Sequence, residues 1–504
     1  MKKVCFIFLL MLSLLPFPAQ AQDSFQMVSP SGPYRIGRTA FQWVDESREE
    51  VHTEEEGDFR ELLVEAWYPA APTADAQFGP YMEPDMAALF AAQVGQPAET
   101  VSAILSNAYP DAPLADDLVT YPVVVFDPGF SPAPRQYSVI IEELASHGYV
   151  VFAVSHPYVT TVTVFPDGRV IEPINSNRLS TLWAPRDIYD GEFEDVWVPD
   201  TTFVLDQIEA LNDSDPRFAG RLETSRIGMV GHSQGARTVS EVCLRDARCV
   251  AAVNLDGNRS AAVEFKLTKP YMLLLADNGV AAFANTYQFG LEAMASDFYV
   301  LMIPQTNHMS FEDSVFWVPV VSGTTDAAGV ESAQIVLLDY REYIRAFCDQ
   351  YVRDLTDPLL EGPSDSHPEV FFLRRDEPIT PPTAAAEPQA AVLGGNTGEL
   401  ALGEADVWIY EGQAGEIIDF MLMADKPADG ATVEQAAEYG LMDTLLVIRA
   451  PDGSILALND DTGMSTNSTL EGIELPADGP YTIEVRTWES QTAGGYTLVL
   501  TAAE

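Results

Sequence analysis

The sequence predicts an α/β protein: a mostly parallel sheet with helices on both faces, followed by a small antiparallel β-sandwich. Two observations predict it. From residue 121, short and wholly apolar runs alternate with helical patterns. Strands that are apolar on both sides belong to a sheet covered on both faces, which parallel sheets require. After residue 393 the period changes to two, as expected of antiparallel strands with one wet face.

The elements follow in chain order. Residues 1–21 read as a secretory signal, with Lys2 and Lys3, an apolar run from Val4 to Leu15, then Ala19-Gln20-Ala21. Residues 22–375 form the α/β domain. Asp45 to Arg60 is charge-dense and reads as a solvated loop. Leu62 to Pro69 reads as a strand ended by proline. Val123 to Phe126 is a buried strand, Ser138 to His147 a helix closed by Gly148, and Tyr149 to Val154 the next strand. Thr160 to Phe165 and Arg169 to Ile171 flank Pro166-Asp167-Gly168 as a hairpin. Thr201 to Leu211 is helical, Arg226 to Val230 a strand, and Gln234 to Leu244 a helix. Strands follow at Val250–Leu255, Tyr271–Leu275 and Phe298–Ile303, with a closing helix at Asp339 to Leu355. Residues 376–392 hold Pro378, Pro381, Pro382 and Pro388 and read as a stiff linker. Residues 393–504 form the sandwich, where Tyr481, Ile483 and Val485, then Tyr496, Leu498 and Leu500, alternate with less apolar neighbours.

Charge excludes some partners. The 504 residues carry 27 Lys plus Arg against 76 Asp plus Glu, a formal charge of -49. Such a polyanion is not a nucleic-acid binder. At 47% apolar residues the chain has material for real cores, so acidity is a surface property. It reads as a solubilising surface or as adaptation to salt. Beyond the signal no apolar run reaches about 18 residues, so no transmembrane segment is expected. Cys5 leaves with the signal. Cys243 and Cys249 are the plausible short-loop disulfide, and Cys348 is the odd, buried one.

Gly231-His232-Ser233-Gln234-Gly235 carries the chemistry. An apolar strand precedes this G-x-S-x-G pattern and a helix follows at once, the setting of a nucleophile elbow. Gly231 and Gly235 permit the sharp turn that lifts Ser233 above the sheet edge. A serine hydroxyl needs a base. His308 follows the last apolar strand of the parallel series and falls at the same edge; His156 is the runner-up, or lines the pocket. The acid that orients the base is Asp256 or Asp277, both at strand C-termini. Gly257 behind Asp256 favours Asp256. Oxyanion donors are expected from the backbone N–H groups of Gln234 and Phe130.

These features together resemble the platelet-activating factor acetylhydrolase type II branch of the α/β-hydrolases. The resemblance rests on Ser31 to Gly37, Val64 to Pro69, Asp127 to Phe130, Gly231 to Gly235, Ala252 to Gly257 and Thr306 to His308, and covers roughly residues 27–360. It implies an α/β-hydrolase fold, the acid at Asp256, and cleavage of short or oxidised acyl groups from phospholipids without a metal. Pro128-Gly129 departs from the family's usual His-Gly, and Ala236 from its usual glycine. The C-terminal segment resembles the bacterial pre-peptidase C-terminal (PPC) domain, through Glu404 to Trp408, Gly412 to Gly415, Asn459 to Asp461 and Gly494 to Leu498. That resemblance implies a non-catalytic module that binds a surface or another protein. Asp443, Asp460 and Asp461 are candidate ligands of a structural calcium ion, with exposed turn acids as the competing reading.

The expectation is therefore an exported serine esterase, periplasmic or extracellular, that needs no cofactor and acts on small or phospholipid esters. Broad carboxylesterase, dienelactone-hydrolase-like and polyester-hydrolase-like activities are alternatives. A surface- or glycan-binding protein on a hydrolase scaffold is the non-enzymatic one. Oligomeric state is left open.

Overall fold

The computed structural model describes residues 25–53, 57–173, 196–257, 267–277, 296–304, 306–325, 330–374, 383–384, 388–401, 404–427, 442, 444–451, 455–459, 467–487 and 493–502. The expected signal lies outside the described residues, as do Asp443, Asp460 and Asp461.

A ten-stranded sheet organises the larger part of the molecule. Its strands in chain order are β1 (Arg35–Glu49), β2 (Phe59–Ala70), β3 (Ala108–Pro110), β4 (Tyr121–Asp127) and β5 (Val150–Ser155). A separate small hairpin, β6 (Thr163–Val164) with β7 (Val170–Ile171), matches the turn expected around Gly168. The sheet continues with β8 (Leu222–His232), β9 (Cys249–Leu255), β10 (Tyr271–Leu275), β11 (Phe298–Met302) and β12 (Phe371–Arg374). The spatial order is β12-β11-β10-β9-β8-β4-β5-β2-β1-β3. The six strands from β5 to β11 are mutually parallel. β2 and β12 extend this block in antiparallel pairing at either side.

Two hydrophobic clusters lie on the two faces. Along β4, Val124 and Phe126 join one cluster and Val123 and Val125 the other. The first cluster takes Ile140, Ile141 and Leu144 from helix Ser138–Ser146, and Leu337, Tyr340 and Ile344 from helix Val330–Val352. The second takes Val204, Leu205 and Ile208 from helix Val198–Ser214, and Val239 and Val242 from helix Gln234–Arg245. Each fully buried Val or Leu contributes about 1.5–3 kcal/mol. Apolar strands were the right sign of a sheet buried on both faces.

One segment departs from expectation. Where the sequence predicts a solvated loop from Asp45 to Arg60, Arg35–Glu49 and Phe59–Ala70 are paired strands. Asp45, Glu50 and Arg60 are 6%, 6% and 2% exposed. Their charges are buried because they neutralise one another: Arg60 bonds Glu50 at 2.8 Å and Asp200 at 2.7 Å. Arg48 bonds Asp45 at 2.6 Å and Asp200 at 2.9 Å. The closing helix also begins at Val330, nine residues before its expected start at Asp339.

The C-terminal region holds two antiparallel sheets over a shared core. One contains β16 (Glu404–Gly412), β18 (Thr444–Arg449), β19 (Ile455–Asn459) and β21 (Gly479–Thr487). The other contains β15 (Gly394–Leu400), β17 (Ile417–Ala424), β20 (Ser468–Glu474) and β22 (Gly494–Ala502). Tyr481, Ile483, Val485, Tyr496, Leu498 and Leu500 all enter the core, as their alternation predicts. The segment expected as a stiff, proline-rich linker contributes to the sheet where it is described. Its short strands β13 (Thr383–Ala384) and β14 (Gln389–Ala390) pair with β16. Pro388 directly precedes β14 at this sheet margin, where a proline interrupts no central ladder.

Candidate active site

The site stands at the C-terminal ends of the parallel strands. β8 ends at His232, and helix Gln234–Arg245 starts directly after Ser233. Ser233 takes the turn with φ +54° and ψ -118°. For a non-glycine residue such backbone costs about 1–3 kcal/mol, and it persists where the surroundings enforce it. They do so here: Ser233 N–H donates to Leu255 O at 2.9 Å, tying the elbow to β9. A Cβ at Gly235 would overlap the carbonyl oxygens of Asp127 and Pro128. A Cβ at Gly231 would overlap Gly235 itself. Both glycines are therefore demanded by close approach.

Asp256 follows β9 and also has positive φ, +50°. Its N–H donates to Leu274 O at 2.8 Å, and its Oδ1 accepts from Ala276 N–H at 2.9 Å. Its Oδ2 lies 2.6 Å from His308 Nδ1. Of the two candidate acids, Asp256 is thus the one bonded to His308. Asp277 lies one strand further, and its N–H donates to Thr306 Oγ1 at 2.9 Å.

His308 starts a single 3-10 turn, His308–Phe311, capped by Asn307, whose side chain accepts from Met309 N–H. The His308 side chain is 45% exposed and that of Asp256 13%. Ser233 and His308 line one cavity of about 350 Å³ with Gly129, Phe130, Trp317 and Glu312. No hydrogen bond joins Ser233 Oγ to His308. Such bonds are often long without substrate and tighten with it. Gln234 opens the helix after Ser233, and Phe130 stands in the loop after β4. Phe130 and Ser233 line the same cavity, and Gln234 follows Ser233 directly.

His156 belongs elsewhere. It is fully buried and does not line the cavity: its Nε2 meets Asp127 at 2.9 Å and its Nδ1 meets Asp200 at 2.8 Å. Burial would lower its pKa, but Asp127 and Asp200 outweigh burial and raise it. Asp200 itself is held below the usual carboxylate range: burial opposes this, but Arg60 and His156 prevail. Thr201 Oγ1 donates to the second oxygen of Asp127 at 2.6 Å. His156 also stacks on Trp197, with centroids 4.0 Å apart, and Trp197 stacks on Phe130 at 6.1 Å. The cluster thus supports the loop that carries Phe130.

Three features escaped sequence reading. The ion cluster did, although Asp127, at the end of an apolar strand and two residues before Gly129, was a usable signal. Tyr137 did, because Arg135-Gln136-Tyr137 matches no motif. Glu312 did, since nothing in sequence tells that its carboxyl is buried against the cavity. Among the described residues no cluster of His, Cys, Asp and Glu could hold a metal, and no helix is long and apolar enough to cross a membrane. Cys243 and Cys249 form a disulfide, and Cys348 is a buried free thiol.

Comparison with known proteins adds to this geometry. The family model described as "Platelet-activating factor acetylhydrolase, isoform II" matches residues 58–167. That stretch includes the Phe130 loop but ends before the elbow. A structure described as ferulic acid esterase from Streptomyces cinnamoneus superposes with a TM-score of 0.57 and 29% identity, over 69% of this chain and 99% of that one. The fold is that of an α/β-hydrolase. A probable 1-alkyl-2-acetylglycerophosphocholine esterase of Arthroderma benhamiae is 26% identical over 390 residues, 70% of this chain and 94% of the relative. Platelet-activating factor acetylhydrolase of Cavia porcellus is 28% identical over 151 residues, 27% of this chain and 35% of that protein. These likenesses support a carboxylic ester hydrolase resembling platelet-activating factor acetylhydrolase.

Proposed function

We propose that the chain is an exported serine esterase that uses Ser233, His308 and Asp256. The observation that carries this reading is the 2.6 Å bond between His308 Nδ1 and Asp256, with His308 lining the same cavity as the strained Ser233. Asp256 fixes the tautomer with the proton on Nδ1, so His308 Nε2 is free to act as a base. Ser233 Oγ attacks the ester carbonyl carbon while its proton passes to Nε2. The oxyanion accepts hydrogen bonds from the N–H groups of Phe130 and Gln234. Collapse breaks the bond to the alcohol oxygen, which takes the proton from Nε2. Water, deprotonated by His308, then releases the acid and regenerates Ser233. No step calls on a cofactor.

The substrate class we favour is a short acyl ester of a phospholipid, as the names of the relatives from Arthroderma benhamiae and Cavia porcellus indicate for those proteins. The C-terminal sandwich, residues 393–504, is proposed as a PPC-like accessory module with no part in the chemistry.

The test is Ser233→Ala with p-nitrophenyl acetate and a short-chain phospholipid. We expect turnover to fall by at least about a thousandfold, and a fluorophosphonate probe to label wild type at Ser233 but not the variant. Full turnover in Ser233→Ala would sink the reading.

A further inference from the structure

The Phe130 loop, the elbow and the His308 loop meet at two side chains with no assigned step in the reaction. Tyr137 and His232 are 0% and 1% exposed. Gly129 N–H donates to Tyr137 Oη at 3.1 Å. Tyr137 Oη lies 2.8 Å from His232 Nδ1. His232 Nε2 lies 2.9 Å from the His308 carbonyl oxygen.

Proton accounting fixes the direction of these bonds. A carbonyl oxygen only accepts, so His232 carries its proton on Nε2. Burial, and then the nearby His308, hold the His232 imidazole neutral, so Nδ1 is an acceptor. The phenol therefore donates its one hydrogen to Nδ1 and accepts from Gly129 N–H. Every donor points the same way, from Gly129 through Tyr137 and His232 to His308.

We propose that Tyr137 and His232 are positioning residues that hold the oxyanion loop in register with the His308 loop through this one directed chain. The proposal rests on the esterase reading. Because Gly129 N–H is committed to Tyr137, the loop's oxyanion donor is Phe130 N–H. The ring of His308 is held by Asp256, and its backbone by His232. The chain is shared by the two loops that must both be placed when charge develops on the substrate. Its loss therefore acts on the transition state more than on substrate binding.

The experiment is a double-mutant cycle of Tyr137→Phe and His232→Gln in the full chain, with p-nitrophenyl acetate. Rates are normalised to sites titrated with fluorophosphonate, so only folded enzyme is counted. Tyr137→Phe removes one oxygen and keeps the ring in its core position. We expect it to lower kcat by about tenfold to a hundredfold, with KM changed by less than about threefold. The double variant should lose little more than the worse single variant, because one chain is cut twice. Wild-type kcat in Tyr137→Phe, or strictly additive losses, overturns the proposal while the esterase reading stands. A wild type that neither turns over nor labels at Ser233 removes the esterase reading itself, and the proposal with it.

Discussion

Glu312 is 2% exposed, and its Oε1 has no hydrogen-bond partner among the described residues. Its other oxygen has only Gln136 Nε2, at 3.5 Å. Burial pushes the carboxyl up to about 7, although the charge of nearby His308 pulls the other way. A pKa raised on folding means that the folded state prefers the protonated acid. The stabilising contribution is present below the unfolded value near 4.5 and is lost as pH rises through about 7. Glu312→Gln should therefore stabilise the protein at pH 8 by roughly 1–3 kcal/mol and change little at pH 4.5. Urea midpoints at the two pH values measure this, and an equal effect at both would refute it. That a wall of the candidate site keeps so costly a group fits the usual exchange of stability for function. Residue-scale legibility divides along the same line. The placement of Ser233 and His308 at one cavity was readable because an elbow and a strand-end loop are local patterns. Tyr137 and Glu312 were not, because their roles depend on what a distant loop brings against them.

The disulfide belongs to the connection between helix Gln234–Arg245 and β9 (Cys249–Leu255), the strand that leads to Asp256. Cys243 and Cys249 are six residues apart, and both are buried. Closing so short a loop in the unfolded chain contributes about 2 kcal/mol by the chain-entropy account. The paired substitution Cys243→Ala with Cys249→Ala should cost that much in chemical denaturation, and reduction of wild type should cost a similar amount. A loss below about 0.5 kcal/mol would show that the short loop was no constraint. Elements of this kind were legible from sequence because continuous apolar runs mark buried strands. The Tyr271–Leu275 strand falls where its residues predict. The helix start at Val330 was missed because Glu331, Ser332 and Ile335 are exposed and print no core-facing stripe. The β1 strand was missed for the opposite reason. Asp45 and Arg48 pair with each other, and Arg48 with the buried Asp200, and one sequence shows charge without showing its partner.

At the scale of the molecule the dominant quantity is the net charge of -49. The sequence marks this as a surface property, and the cavity agrees: among the described residues that line it, Glu312 is the only acid. Pairing every Lys and Arg would still leave 49 acids without a cationic side chain. Buried pairs such as Arg60 with Asp200 use part of the scarce positive charge for internal structure. The surface is then left to repel itself, which disfavours the compact state. Salt should relieve this, since the screening length falls from about 30 Å at 0.01 M to about 10 Å at 0.1 M. The thermal midpoint is expected to rise by several degrees between 10 mM and about 0.3 M NaCl, then to flatten. A rise caused by solute exclusion would instead continue in proportion to concentration. Scanning calorimetry across that range separates the two. A flat or falling midpoint below about 0.3 M would mean that the acidic surface is already relieved within the fold, and that its charge is not what limits stability.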